Sequence, residues 1–365
     1  MQRILVLGAG KIGSLIAFLL ANCHDYDVYL ADIHVTERPD LENIKAHVSH
    51  LKIIALNAQD AAAMDQFLTE NPMNAVISAL PYYHNIPIAQ AAKKFNLHYF
   101  DLTEDTYTAQ TVLELAEDAK TAFIPQCGLA PGFISIVANN LMQHFPKLDS
   151  VKMRVGALPV NISNALQYSL TWSTDGLINE YGNLCHAIED GEEVSLLPLD
   201  DLEEIKIDGL TYEAFNTSGG IGTLAKTYAN KVKHLSYKTI RYPGHCAKMH
   251  FLMNDLNLNH DRETLKHILE GALPKTHQDV VLVYVSVTGT QDNQFIEENY
   301  VKKLYPTVIN EIKWSAIQMT TASSICAIVD LTLSAKDTYR GMIRQETFSL
   351  DAVLQNRFGQ YYAQS

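Results

Sequence analysis

The chain has 365 residues, 47% of them apolar and 19% charged, with a formal net charge of −13. At about 150 residues per domain this describes a two-domain globular chain and not a disordered one. The acidic surplus repels a phosphate backbone, so nucleic acid is not expected as a partner.

The five cysteines (Cys23, Cys127, Cys185, Cys246, Cys326) are odd in number and widely spaced. They give neither a disulfide framework nor metal-ligand spacing, so a cytoplasmic protein without a metal is expected. Lys11 and three glycines interrupt the first apolar run, which excludes a secretory signal. No stretch reaches the about 20 apolar residues that span a bilayer, so no membrane association is expected.

Arg3 to Leu7 is a short β-branched and leucine run, read as a strand buried on both faces. Gly8-Ala9-Gly10-Lys11-Ile12-Gly13 follows, then an apolar helix over 14–21 and a second strand over 27–32 that ends in Asp32. Strand, GxGxxG, helix, strand and terminal acid in this order form the dinucleotide-binding pattern. Gly8 permits the tight turn, Gly10 lets a pyrophosphate approach the main chain, and Gly13 lets the helix lie against the strand. The first-turn amides, those of Lys11 and Ile12 among them, then face the phosphates with the positive end of the helix dipole. Asp32 accepts from the adenosine ribose hydroxyls and repels a 2′-phosphate, and no arginine follows it until Arg38. NAD is therefore expected ahead of NADP.

Strands over 51–56, 74–80, 98–101 and 122–125 alternate with helices over 60–69, 86–95 and 107–120. That alternation predicts a doubly wound parallel sheet of the Rossmann type. Ligands bind outside the carboxyl ends of such strands, which places Asn57 and Ala58 at the adenine edge and Ser78, Ala79 and Leu80 at the nicotinamide ribose. Beyond Leu148 the pattern changes to period two, in 150–156, 166–172 and 280–287, as in an antiparallel sheet with one covered face. Helices are expected over 175–187 and 262–270, and again over 320–333 and 350–361. The last two could complete the second domain or return to the first; their pattern fits either.

Asp101, Glu104 and Asp105 share one strand-end loop, and a carboxylate there could take a proton from a substrate ammonium. Capping of the following helix is the competing role, above all for Asp105. Tyr83, beside Tyr82 and His84, is a candidate substrate contact, with packing as its alternative. Arg241, next to Tyr242-Pro243-Gly244-His245, could present a guanidinium fork to a substrate carboxylate; a salt-bridged arginine before a turn explains the pattern equally. Trp172, Asp175 and His245 are further candidates for the substrate site. His245, Cys246 and His250 lack a fourth ligand at usual spacing, which rejects zinc.

Four segments carry a family resemblance: Cys127 to Gly132, Trp172 to Tyr181, Ala214 to Gly220, and Thr239 to His245. Over nearly its whole length the chain resembles the saccharopine dehydrogenase / L-lysine 6-dehydrogenase family. Its length and Ala130-Pro131-Gly132 are more similar to the lysine 6-dehydrogenase branch than to the fungal saccharopine reductases. The resemblance implies a Rossmann domain over 1–130 and 320–365, so that the C-terminal helices pack back. It also implies an inserted mixed α/β domain over 131–319 for substrate binding and dimerisation. It further implies oxidation of an amine on a lysine-type amino acid or reduction of the matching imine, in a homodimer or higher homo-oligomer. Gly8, Gly10, Gly13 and Asp32 carry over as cofactor residues, and Arg241 and Glu104 as site residues. Three functions stay open: an NAD-dependent lysine 6-dehydrogenase, an NADP-dependent saccharopine or carboxyalkyl-amine dehydrogenase, and a non-catalytic nucleotide sensor. Only Arg154, Arg241 and Arg262 lie between residues 130 and 320, which favours a substrate with one carboxylate over one with three.

Overall fold

The computed structural model describes residues 1–335 and 338–363. It divides into two units, residues 1–129 with 320 onward, and residues 130–319.

The first unit alternates strand and helix: β1 (Gln2–Leu7), α1 (Lys11–Asn22), β2 (Tyr26–Asp32), α2 (Pro39–His47), β3 (Lys52–Ala55), α3 (Ala61–Glu70), β4 (Ala75–Ser78), α4 (Asn85–Phe95), β5 (His98–Asp101), α5 (Thr106–Leu115) and β6 (Ala122–Ile124). Side-chain oxygens start two of these helices: Asp60 accepts from Ala62 and Ala63, and Asp105 from Thr108. The strands are parallel. Their order, β6-β5-β4-β1-β2-β3, puts the topological switch between β1 and β4. One face is closed by α3, α4 and α5, whose Met64, Leu68, Ile88, Ala92 and Val112 pack on Leu5, Leu7, Val76 and Tyr99.

The second unit opens with α6 (Phe133–Met142), a stretch to which the sequence reading assigned no element. It continues with β7 (Lys147–Pro159), α7 (Thr174–Gly182), β8 (Cys185–Glu189), β9 (Glu192–Leu196), β10 (Glu203–Ile207), β11 (Leu210–Asn216), α8 (Leu224–Tyr228), β12 (His234–Arg241), α9 (His245–His250), α10 (Arg262–Ala272), β13 (Asp279–Gln291), β14 (Gln294–Leu304), β15 (Thr307–Ile309) and β16 (Ile312–Trp314). The main sheet runs β10-β11-β12-β7-β13-β14, with β8 and β9 beside β12. It is mixed, because β12 and β7 are parallel within an otherwise antiparallel order.

Two expectations fail here. Residues 166–172 are not a strand: Tyr168 and Leu170 are buried, and Leu166 and Trp172 pack, against the α7, α9 and α10 side chains. The main chain meets no ladder, and the Leu170 amide donates to Pro274 instead. The period of two lies in residue polarity alone, because Ser169 and Thr171 are buried together with Tyr168 and Leu170. The helix expected over 175–187 stops at Gly182, where a Cβ would stand 2.3 Å from Asn259 Oδ1, and β8 begins three residues later.

The chain ends with α11 (Ala316–Ser334), β17 (Gly341–Met342) and α12 (Leu350–Gln355). Buried Asp279 starts α11 by accepting from the Ala316 and Ile317 amides at 2.7 and 2.9 Å. By length and composition this 19-residue helix could cross a membrane, contrary to expectation, but 89% of its most apolar window is buried in protein. Its Asp330 accepts from the Tyr26 hydroxyl at 2.6 Å, and β17 adds to the first sheet beside β6.

Candidate dinucleotide and substrate sites

The glycine turn is shaped by contacts that a side chain would destroy. Gly8 has φ +97°, with Ala79 O 3.0 Å from where its Cβ would be. A Cβ on Gly13 would stand 1.8 Å from Gly8 O, whereas one on Gly10 would meet nothing within 4 Å. That open space lies at the N-terminus of α1, where no side chain caps the first turn. Lys11 and Ile12 lie on that turn and are at least partly exposed. These are the requirements of a diphosphate held by main-chain amides.

Asp32 ties the turn to the end of β2. Its Oδ2 accepts from the Ala9 amide at 2.7 Å and its Oδ1 from the His34 amide at 2.9 Å. Each oxygen keeps capacity for one more donor. Arg38, not singled out as a ligand from the sequence, folds over the same turn and donates to Ala9 O at 2.8 Å. Its fork is closed by Asp40 at 2.8 and 2.6 Å, which raises the guanidinium pKa. Asn57 is exposed and its Oδ1 accepts from the Gln59 amide, while Ala58 and Leu80 pack on the helix-covered face. The Ala79 amide donates to Leu7 O at 2.9 Å. Ser78, expected at the nicotinamide ribose, is buried and turned inward, its hydroxyl 2.7 Å from Asn85 Oδ1.

At the end of β5 the candidate carboxylates separate. Asp101 is 0% exposed and accepts from Tyr99 OH at 2.7 Å and from the Thr103 and Gln126 amides at 3.0 and 2.9 Å. Burial pushes its carboxyl up, and those three donors pull it back. Such a group joins the loops after β5 and β6 and reaches no external proton, which corrects the expectation of a general base. Asp105 is the cap of α5. Glu104 lies between them, half-buried on the loop. Cys127 is buried, and burial raises its thiol pKa well above the ordinary value. Tyr83 is exposed and sits edge-on to His84.

In the second unit Arg241 ends β12 and His245 starts α9. Arg241 is buried; its Nε donates to Tyr181 OH at 2.8 Å and its Nη1 to Ile240 O at 2.9 Å. The guanidinium lies over the Tyr168 ring, 5.0 Å from the centroid. Tyr181 OH lies 3.1 Å from His245 Nε2, and His245 Nδ1 lies 2.7 Å from Leu166 O. Burial, with the Arg241 cation beside it, pushes His245 down to about 3. The ring is therefore neutral: Nδ1–H donates to Leu166 and Nε2 accepts from Tyr181. It positions the phenol that orients Arg241.

Trp172 borders this cluster, donating to Tyr168 OH at 3.1 Å. Asp175 does not join it, because Lys266 holds its carboxylate at 2.8 Å. The other two arginines are bound elsewhere, Arg154 by Glu203 and Arg262 by Asn259 and Asn183. Tyr181 and Tyr168 are the residues the sequence reading missed; periodicity marks both only as core. No group of three or more metal-binding side chains is found among the described residues.

A Rossmann unit with a glycine turn, followed along the chain by a mixed-sheet unit, is the architecture of a dinucleotide-binding protein. Residues 4–124 match the family model described as the saccharopine dehydrogenase NADP binding domain, and residues 128–359 match the saccharopine dehydrogenase C-terminal domain. The chain belongs to the saccharopine dehydrogenase family of nicotinamide-dependent oxidoreductases. It is 25% identical to the Schizosaccharomyces pombe saccharopine dehydrogenase [NADP(+), L-glutamate-forming], over 96% of this chain and 82% of that enzyme. To the enzyme of the same name from Pyricularia oryzae it is 23% identical, over 69% of this chain and 57% of that one. To the mouse mitochondrial alpha-aminoadipic semialdehyde synthase it is 21% identical, over 93% of this chain and 38% of that one. The solved structure of Saccharomyces cerevisiae saccharopine dehydrogenase (L-Glu forming) shares the fold, with a TM-score of 0.75 at 15% identity, covering 97% and 96% of the two chains. A nicotinamide cofactor follows from the family; the expected preference for NAD does not, since the matched domain and both fungal relatives are described with NADP.

Proposed function

We propose that the protein oxidises the amine-bearing carbon of a lysine-type amino acid with NAD, as an L-lysine 6-dehydrogenase does. Arg241 carries this reading. It is a buried guanidinium stacked on Tyr168 and steered by Tyr181, and the carboxylate of buried Glu180 attracts it electrostatically. With Arg154 and Arg262 already bound, the second unit supplies one such receptor for an α-carboxylate. A bound nicotinamide ring supplies the hydride acceptor. Glu104 takes the proton from the substrate ammonium, because only a neutral amine has the lone pair that expels hydride. Asp32 favours free ribose hydroxyls, and Asp40 occupies the Arg38 fork that a 2′-phosphate would need.

A second reading, an NADP-dependent saccharopine dehydrogenase, is supported by the descriptions of the relatives. The two are separated by incubating the protein with NAD or NADP and lysine, ornithine, saccharopine or polyamines while following reduced-nicotinamide absorbance. Reduction of NAD by lysine is expected. Turnover confined to NADP with saccharopine selects the second reading, and dinucleotide binding without turnover on any amine selects a nucleotide sensor. Glu104→Gln should lower kcat at least about 100-fold while leaving the Kd for the dinucleotide unchanged; an unaltered kcat removes Glu104 from the chemistry.

A further inference from the structure

Glu180 lies on α7 directly before Tyr181, whose hydroxyl orients Arg241, and it is 7% exposed. Its segment is pinned by the loop after β11: Ser218 donates from its amide to Glu180 O at 2.9 Å and from its hydroxyl to Asn179 O at 3.2 Å. Trp172 packs on the same helix, so closely that a Cβ on Gly176 would stand 2.3 Å from its ring. Burial disfavours the Arg241 cation, and Glu180 is one of the groups that restore it. Burial also opposes ionisation of Tyr168 and Tyr181, and the Glu180 charge adds to that in both. The carboxylate thus acts on the shell that holds the guanidinium.

A second buried carboxylate close by is already engaged. Glu213 stands opposite Arg241 across β11 and β12, but one of its oxygens accepts from the Gly244 amide at 2.7 Å and the other from the Cys246 amide at 2.6 Å. Thr171, 1% exposed, is the reverse case. Its hydroxyl lies near the Tyr168 phenol outside hydrogen-bond geometry and has no other partner among the described residues. With His245 neutral, Arg241 and Glu180 balance each other. A ligand that brings a lone carboxylate into this shell leaves a net buried charge, which is costly, whereas one carrying both signs side by side leaves none.

We infer that this shell recognises the head group of a free α-amino acid, with Arg241 and the Thr171 hydroxyl on the α-carboxylate and Glu180 on the α-ammonium. The inference rests on the reading of Arg241 proposed above and adds a requirement for an unblocked α-amine. A Glu180 that serves only as counter-ion to Arg241 behaves differently, because its removal changes the guanidinium for every carboxylate alike.

Calorimetric titration of the full chain with reduced dinucleotide present, where no amine is oxidised, separates the two. The probes are lysine, 6-aminohexanoate, which lacks the α-amine, and Nα-acetyl-lysine, in which it is blocked. The unaltered protein should bind lysine at least about tenfold more tightly than either analogue. Glu180→Gln should weaken lysine at least about tenfold and shift the two analogues by less than about threefold. Thr171→Val should weaken all three alike, by about threefold, since all carry the carboxylate. An unaltered protein that does not prefer lysine overturns the proposal whether or not the variants fold. Equal changes for lysine and 6-aminohexanoate in Glu180→Gln overturn it too. Should saccharopine bind in place of lysine, the lysine-oxidation reading falls, and the loss in Glu180→Gln is then read on saccharopine, which carries the same head group; an unaltered affinity there, or binding of neither ligand, overturns the proposal.

Discussion

Asp101 and Arg241 are both buried, charged and hydrogen-bonded, yet they differ in what remains over. Asp101 accepts three donors from its own unit, two of them main-chain amides that close the loops after β5 and β6. Arg241 has five N–H donors, and its recorded hydrogen bonds go to one phenol and one carbonyl. Burial marks both equally. Spare hydrogen-bonding capacity is what separates the receptor proposed at Arg241 from a strut such as Asp101.

Truncating the two should therefore fail in different ways. Asp101→Ala strands the Tyr99 hydroxyl and two amides in the interior, and should cost about 3–5 kcal/mol of unfolding free energy, read from urea titration. A loss below about 1 kcal/mol would return Asp101 to the list of reactive groups. Arg241→Ala should instead raise KM about 10- to 100-fold for an amine bearing a carboxylate and leave KM for a polyamine unchanged. Equal effects on both substrate types would break the distinction. Arg241→Lys keeps the charge but not the fork, and should recover only part of the loss.

The same contrast explains what the sequence disclosed. Gly8, Gly10, Gly13 and Asp32 are legible because a turn between strand and helix is a local, main-chain problem solved within one short segment. The parallel sheet was legible for a similar reason: fully buried strands such as Ile4 to Leu7 alternate with helices. Asp101 was misread because two of its three donors, Tyr99 and Thr103, are ordinary-looking neighbours and the third, Gln126, comes from the next strand end. Asp175 finds Lys266, and Arg241 finds Tyr181, across 91 and 60 residues, distances at which periodicity carries no information. Residues 166–172 alternate in polarity like a strand although Ser169 and Thr171 are buried with Tyr168 and Leu170, and only the absent ladder shows that no strand forms.

His245 sharpens the comparison through pH. Its folded pKa is lowered to about 3, whereas an unfolded histidine titrates near 6.5. Between those values the unfolded chain takes up a proton that the folded chain refuses, so this group's contribution to stability is lost as pH falls below about 6.5. One proton is worth about 1.4 kcal/mol per pH unit, or about 2 kcal/mol at pH 5. His245→Asn should flatten the stability difference between pH 7.5 and pH 5 by that amount. An unchanged difference would mean the imidazole is already charged in the fold and cannot accept from Tyr181.

The smallest effect concerns the dinucleotide, where the two charged side chains near the turn oppose each other. Asp32 accepts from Ala9 N–H while Arg38 donates to Ala9 O, so one residue of the turn is held from both sides. On the reading proposed above, a ribose with free hydroxyls adds donors to Asp32, whereas a 2′-phosphate meets its charge and finds the Arg38 fork filled by Asp40. Asp32→Ala should raise the Kd for NAD about tenfold and leave that for NADP unchanged or lower. Asp40→Ala opens the fork and should tighten NADP about threefold without altering NAD. Calorimetric titration of both cofactors measures this. Equal losses for NAD and NADP in Asp32→Ala would mean that the carboxylate serves only the turn and that the ribose lies elsewhere.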